Sequence, residues 1–168
     1  LDLGTLANSI GTLNAITAAG GLALNNGNSN LIVAGNISTI NNAVTIATGT
    51  GSYTQNANID VTAGSGPITV TADTVAINTN AGNNALTTSG VLTLKAKTAG
   101  RAMSLAGVSA FDLSLAELAA VATGATGPIV IGDAASSGVL TVGGAVALAG
   151  KTLTLNAGTI TDIGVKTI

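Results

Sequence analysis

The sequence has 168 residues, of which 46% are hydrophobic and only 7% charged, a net charge of −2, and no His or Cys, so several kinds of function are excluded at once. Disulfide staples, thiol nucleophiles, Ser-His-Asp triads, imidazole acid–base chemistry and His or Cys metal sites have no residues to use. No basic patch is available for nucleic acid, and no stretch reads as a membrane span; the longest uncharged candidate, residues 134–150, is broken by Gly138, Gly143, Gly144 and Gly150.

The apolar content is almost entirely aliphatic, with one Phe, one Tyr and no Trp. Globular cores usually draw their bulk from aromatics, whereas a narrow core of stacked Val, Ile, Leu and Ala does not. Twenty-three Gly, 25 Thr and 16 Asn supply the turn formers and β-branched residues of many short strands. Between Asp2 and Asp60 no residue is charged, which argues against solvated helices. The high hydropathy argues against disorder.

The chain starts at Leu1 without a visible signal peptide, so a processed or excerpted start is expected. In residues 1–21, Leu3, Leu6, Ile10, Leu13 and Ile16 have helical spacing. Gly4, Gly11, Thr5, Thr12 and Thr17 weaken a helix, and a partial or irregular coil is the preferred reading.

From Leu22 onward one pattern repeats. Val44-Thr45-Ile46-Ala47, Ile68-Thr69-Val70-Thr71 and Leu92-Thr93-Leu94-Lys95 begin 24 residues apart, and Ile129-Val130-Ile131-Gly132 begins 24 before Leu153-Thr154-Leu155-Asn156. Leu22-Ala23-Leu24-Asn25 lies 22 before the first. A fixed period of this size marks one structural unit repeated. Each unit holds about three strands of three to five residues between Gly- and Asn-rich turns, with the second strands at 31–33, 52–54, 75–77, 103–105 and 139–142. The third strands are placed at 37–40, 59–61, 86–87 and 146–148.

This is the arithmetic of a solenoid, and the fold predicted is an all-β parallel β-helix, one domain over 1–168 with regular coils over 22–168. Val44, Ile46, Ile68, Val70, Leu92, Leu94, Ile129, Ile131, Leu153 and Leu155 are predicted to point inward and stack in columns. Thr45, Thr69, Thr93 and Thr154 form an outward ladder. Pro67 and Pro128 each stand just before an anchor strand, where a missing N–H costs least.

One interval breaks the period: Leu92 to Ile129 is 37 residues, one period plus 13. Residues 112–124 are read as the insertion, a short helix or loop covering one face of the stack. Asp112 is the expected cap, and Leu113, Leu115, Leu118 and Val121 mostly share one helical face. The termini show no polar capping segment, so the chain is not expected to end in water at Ile168.

The runs Leu-Ser-Leu-Ala-Glu-Leu-Ala at 113–119, Pro-Ile-Val-Ile-Gly-Asp at 128–133, Gly-Val-Leu-Thr-Val at 138–142 and Leu-Thr-Leu-Asn-Ala-Gly-Thr-Ile-Thr at 153–161 resemble the repeat region of large bacterial exoproteins. These are the filamentous haemagglutinin-like adhesins of two-partner secretion systems and related autotransporters, and a looser likeness covers 22–168. The resemblance implies a long right-handed β-helix that reaches the cell surface or is released. Nothing matches the family's secretion domain or a β-barrel translocator, so it implies shaft.

The seven carboxylates, Asp2, Asp60, Asp73, Asp112, Glu117, Asp133 and Asp162, are scattered. Paired-carboxylate chemistry needs two on one face of adjacent coils, and Asp60 and Asp133 lie at unlike offsets, 16 and 4 residues past their anchors. No catalytic, cofactor or metal residues are assigned. Gly150-Lys151-Thr152 and Gly49-Thr50-Gly51 are read as turns, and the Asn clusters as possible amide ladders. An ice-binding plane would want two Thr per strand; only 68–71 supplies them, with Thr69 and Thr71 read as facing opposite sides.

The expected function is therefore a non-catalytic shaft segment of a secreted or surface adhesin. The alternative is a self-assembling filament subunit. Expected partners are further coils of the same chain or like subunits end to end, with a host or neighbouring-cell receptor beyond them.

Overall fold

The computed structural model describes residues 1–78, 85–146, 148 and 150–163 and is a parallel β-solenoid with one short helix. The irregular first coil carries β1 (Asp2–Leu3), β2 (Thr12–Leu13) and β3 (Ile16–Ala18), and the second carries β4 (Leu22–Asn25), β5 (Leu31–Val33) and β6 (Ile37–Thr39). Coil three is β7 (Val44–Gln55) and β8 (Val61–Gly64); coil four is β9 (Ile68–Ile77) and β10 (Leu86–Thr88). Coil five holds β11 (Leu92–Lys95), β12 (Met103–Leu105), β13 (Phe111–Leu113) and α1 (Leu115–Gly124). Coil six holds β14 (Ile129–Gly132) and β15 (Val139–Val142), and coil seven β16 (Leu153–Asn156) and β17 (Thr159–Asp162).

Every coil contributes to the first wall. There Leu22 faces Val44, Val44 faces Ile68, Ile68 faces Leu92, Leu92 faces Ile129 and Ile129 faces Leu153. Strand side chains alternate between faces with period two, so one residue in two enters the bore. Val44, Ile46, Ile68, Val70, Leu92, Leu94, Ile129 and Ile131 are all buried, each removing aliphatic surface from water at about 1.5–3 kcal/mol. Leu153 and Leu155, in coil seven, pack on this core but are only partly buried.

The anchor residues also explain the prolines. Val44 N donates to Pro67 O at 2.9 Å and Leu92 N to Pro128 O at 2.9 Å, as Leu22 N does to Ala43 O and Ile68 N to Val91 O. The residue before each anchor thus serves the ladder through its carbonyl, which proline retains.

The second wall is formed by β2, β5, the ends of β7 and β9, then β13, β12, β15 and β17. The third is β3, β6, β8 and β10, on which α1 packs. The first two walls share strands because β7 and β9 each run unbroken around a corner. The turn expected at Gly49-Thr50-Gly51 is instead a bend inside β7, where the pairing slips between Ala47 and Gly49 and again before Ser52. Gly49 has φ +60°, and a Cβ there would lie 2.0 Å from Gly27 O. Only glycine meets both demands.

The insertion divides differently from the sequence reading. Residues 111–113 form a strand, with Phe111 and Leu113 buried, and the helix starts at Leu115. Asp112 is not the cap. Its carboxylate accepts from Ser104 Oγ at 2.6 Å and Gly107 N at 2.9 Å. Ser114 caps the helix in a reciprocal box with Glu117, which accepts from Ser114 N at 2.9 Å. Leu115 is 53% exposed, and Leu118, Ala120 and Val121 supply the packed face. Val146 and Leu148, expected in a strand, lie in none; Ala147 between them is outside the described residues.

Asparagines join the coils at the turns, and they do so through backbone groups. Asn28 Oδ1 accepts from Thr50 N at 3.1 Å, Asn30 Oδ1 from Ser52 N at 2.9 Å, Asn36 Oδ1 from Asp60 N at 3.0 Å and Asn41 Oδ1 from Ser65 N at 3.0 Å. Each reaches across one period, satisfying an N–H where the strand ladder lapses. In place of the amide ladders expected among the Asn clusters, 25–30 and 41–42 make such side chain to backbone bonds; 79–84 lie outside the described residues. The buried Asn26 works in the other direction, accepting from Ile10 N at 2.7 Å and donating to Ile10 O at 2.9 Å. It thereby holds the irregular first coil onto the second.

Candidate functional site

Polar and charged groups gather at the corner between the first and second walls. A shallow groove of about 560 Å³ runs there along several coils, lined by small residues such as Ala23, Ala47 and Thr71 and by Lys95, Lys97 and Asp133. It lies where strands of the first wall leave for the corner loops, so its floor is made of outward-facing strand residues.

Two carboxylates mark this corner. Asp133, just after β14, accepts from Lys95 Nζ at 2.6 Å, with the two side chains 35% and 30% exposed. The Lys95 hydrogen bond, then the Ala135 N–H at 2.9 Å, hold its carboxyl below the usual carboxylate range. Asp73 is 4% exposed and sits at the bend of β9. It accepts from Lys97 N at 3.0 Å, Thr98 N at 2.8 Å and the Thr98 hydroxyl. Arg101 Nε donates to Asp73 O at 2.8 Å and its Nη2 to Thr74 Oγ1 at 3.4 Å.

Both carboxylates are therefore taken up by donors from a neighbouring coil: Asp73 ties coil four to coil five, and the Lys95–Asp133 pair ties coil five to coil six. This corner was legible in principle. Once Leu92 is set opposite Ile129, Lys95 falls beside Gly132 and next to Asp133. Asp60, by contrast, precedes β8 on the third wall, so Asp60 and Asp133 do stand at different corners. Among the described residues no three of His, Cys, Asp and Glu come together as metal ligands, and no helix is long and apolar enough to cross a membrane.

The outward ladder has a gap. Thr45, Thr69 and Thr93 are consecutive on the first wall, but Val130 separates Thr93 from Thr154. Thr69 and Thr71 share the outward face, opposite to the reading from sequence, since they are two residues apart on one strand while Ile68 and Val70 are buried. A second hydroxyl column escaped the sequence: Thr17, Ser38, Thr62 and Thr87 align on the third wall. Its spacings of 21, 24 and 25 residues are too uneven to show as a period.

The buried polar groups in the bore also form a site of their own. Tyr53 Oη donates to Gln55 Oε1 at 2.8 Å, and Gln55 Nε2 donates to Ile59 O at 2.6 Å and Ala85 O at 2.8 Å. Both side chains are fully buried, and burial pushes the Tyr53 phenol above its ordinary value. This chain joins the second wall to the third inside the core. No family model, no curated protein and no solved structure matches the chain.

Proposed function

We propose that this chain is a non-catalytic shaft segment of a secreted or cell-surface bacterial adhesin, of the filamentous haemagglutinin-like kind, giving reach and display. The observation that carries the reading is the first wall, whose inward columns stay in register through seven coils, even across the 37-residue unit. Six spacings of about 4.8 Å give an axial reach of about 29 Å. Charged side chains at the corners tie coils together, which is what a load-bearing rod requires.

The second reading, a filament subunit, draws on coil seven. Leu153 and Leu155 belong to inward columns yet are only partly buried, and Ile160, in register with the buried Leu140, is 52% exposed. Further coils of the same chain or a like subunit would cover them in the same way, and either extends the shaft. A receptor on a host or neighbouring cell belongs beyond this segment.

The test is removal of residues 44–67, which joins Ala43 to Ile68 and keeps the first wall in phase. On the shaft reading the protein folds, shortens by one coil of about 4.8 Å in small-angle scattering, and its parent remains displayed and adherent. A folded, displayed parent that loses adhesion would place the activity on coil three and overturn the reading.

A further inference from the structure

The first and second walls do not contain the same number of strands. Between coils four and five the first wall passes directly from β9 to β11, with Leu92 to Lys95 facing Ile68 to Thr71. On the second wall β12 does not meet β9. The chain turns back after Leu105, and β13 enters between them, so that Val75 faces Phe111 and Phe111 faces Met103. On the third wall α1 takes the place of a strand above β10.

The ties across this boundary are uneven. Coils three and four are paired from Val44 opposite Ile68 to Gln55 opposite Ile77, on both walls and on either side of the slips at the corner. Among the described residues, coils four and five keep full register on the first wall and are tied at its corner through Asp73, but share a single aligned strand pair on the second wall, Phe111 with Val75, and a single bridge on the third, Thr88 with Ala125. Ile77 N, at the end of β9, donates to Glu117 Oε1 at 2.6 Å, so a carboxylate replaces the missing strand. The same Glu117 holds the helix cap through its other oxygen. Past the helix end Thr126 N donates to Thr88 O at 2.8 Å, while the helix itself offers β10 the buried Leu118, Ala120 and Val121, and packing of that kind tolerates sliding that a hydrogen-bonded ladder does not.

We infer that the boundary between coils four and five is a built-in hinge: the first wall is its leaf, β13 and α1 are a wedge that opens and closes the other two walls, and Glu117 is the latch. The inference holds whether or not the chain is a shaft.

The absence of Cys permits spin labels at chosen pairs. Thr54 and Thr161 lie in one outward column of the second wall, spanning the wedge, and Thr45 and Thr154 in one column of the first. Both pairs run from coil three to coil seven, and the response to substitution of Glu117 separates opening of the wedge from fraying of coil seven. Double electron–electron resonance on the two double-Cys chains is expected to give a distribution at least about twofold wider for the second-wall pair. Glu117→Ala should widen that pair alone, and Glu117→Gln, which keeps an acceptor oxygen, should widen it less. Equal widths for the two pairs, or widening by Glu117→Ala on both walls together, would overturn the hinge. Should Glu117→Ala lose its β circular dichroism, Glu117→Gln and the unaltered chain decide the matter.

Discussion

Replacing Gln55 by Leu tests how the bore tolerates polar groups. The substitution removes the acceptor of the Tyr53 hydroxyl and the donor to Ile59 O, while Ala85 O keeps Val61 N at 2.9 Å. Two groups are left without partners, and at about 1–3 kcal/mol for each the expected loss is about 2–6 kcal/mol. Tyr53→Phe alone strands the Gln55 oxygen and should cost about 1–2 kcal/mol. The double variant removes hydroxyl and acceptor together, so it should be no less stable than Gln55→Leu and the two effects should fall short of additive by about 1–3 kcal/mol. Urea unfolding followed by far-ultraviolet circular dichroism, with unchanged m values, measures all four corners of the cycle. Additive losses would show that the chain of hydrogen bonds has no collective role.

Three further outcomes are expected. Burial raises the Tyr53 pKa, so its neutral form supports the fold up to the ordinary phenol value of about 10, and stability falls as pH rises beyond it, by up to about 1.4 kcal/mol per pH unit; Tyr53→Phe should lack this alkaline loss, and absorbance can follow the only Tyr in the chain. Asp133 is held below the usual carboxylate range by Lys95, so its contribution is present above about pH 4 and disappears as pH falls through the lowered value; comparing acid unfolding of Asp133→Asn with the unaltered chain measures it. Gly49→Ala should destabilise by about 2 kcal/mol or more, because it combines φ +60° with a Cβ 2.0 Å from Gly27 O, whereas a Cβ at Gly11 meets nothing within 4 Å and Gly11→Ala should stay within about 0.5 kcal/mol in thermal melts.

The period of the anchor strands and the alternation within them are local and repeated, which is why the columns from Val44 to Ile131 could be read from residues alone. The wedge could not. Phe111-Asp112-Leu113 alternates as well as any strand here, but Leu115, Leu118 and Val121 follow at helical spacing and draw the reading toward a longer helix. What decides between them is an open place beside β9, created by the path of residues some tens of positions away. The continuity of β7 was hidden for a related reason: Gly49-Thr50-Gly51 is turn-forming composition, and its extended course depends on the second coil beneath it. The tie between Lys95 and Asp133, 38 residues apart, lay between these cases, accessible from the register of the first wall but from no motif.

The four asparagine oxygens at 28, 30, 36 and 41 all accept from the coil that follows their own. A unit copied in tandem would thus arrive already carrying the acceptors its successor needs, and the N–H groups to engage its predecessor. Lengthening such a chain by duplication requires no new interface to be invented, which gives gene duplication an easy path to proteins of very different reach. The 37-residue coil shows the other side of that freedom: a copy can be expanded in its second and third walls and still hand the same first wall to the next.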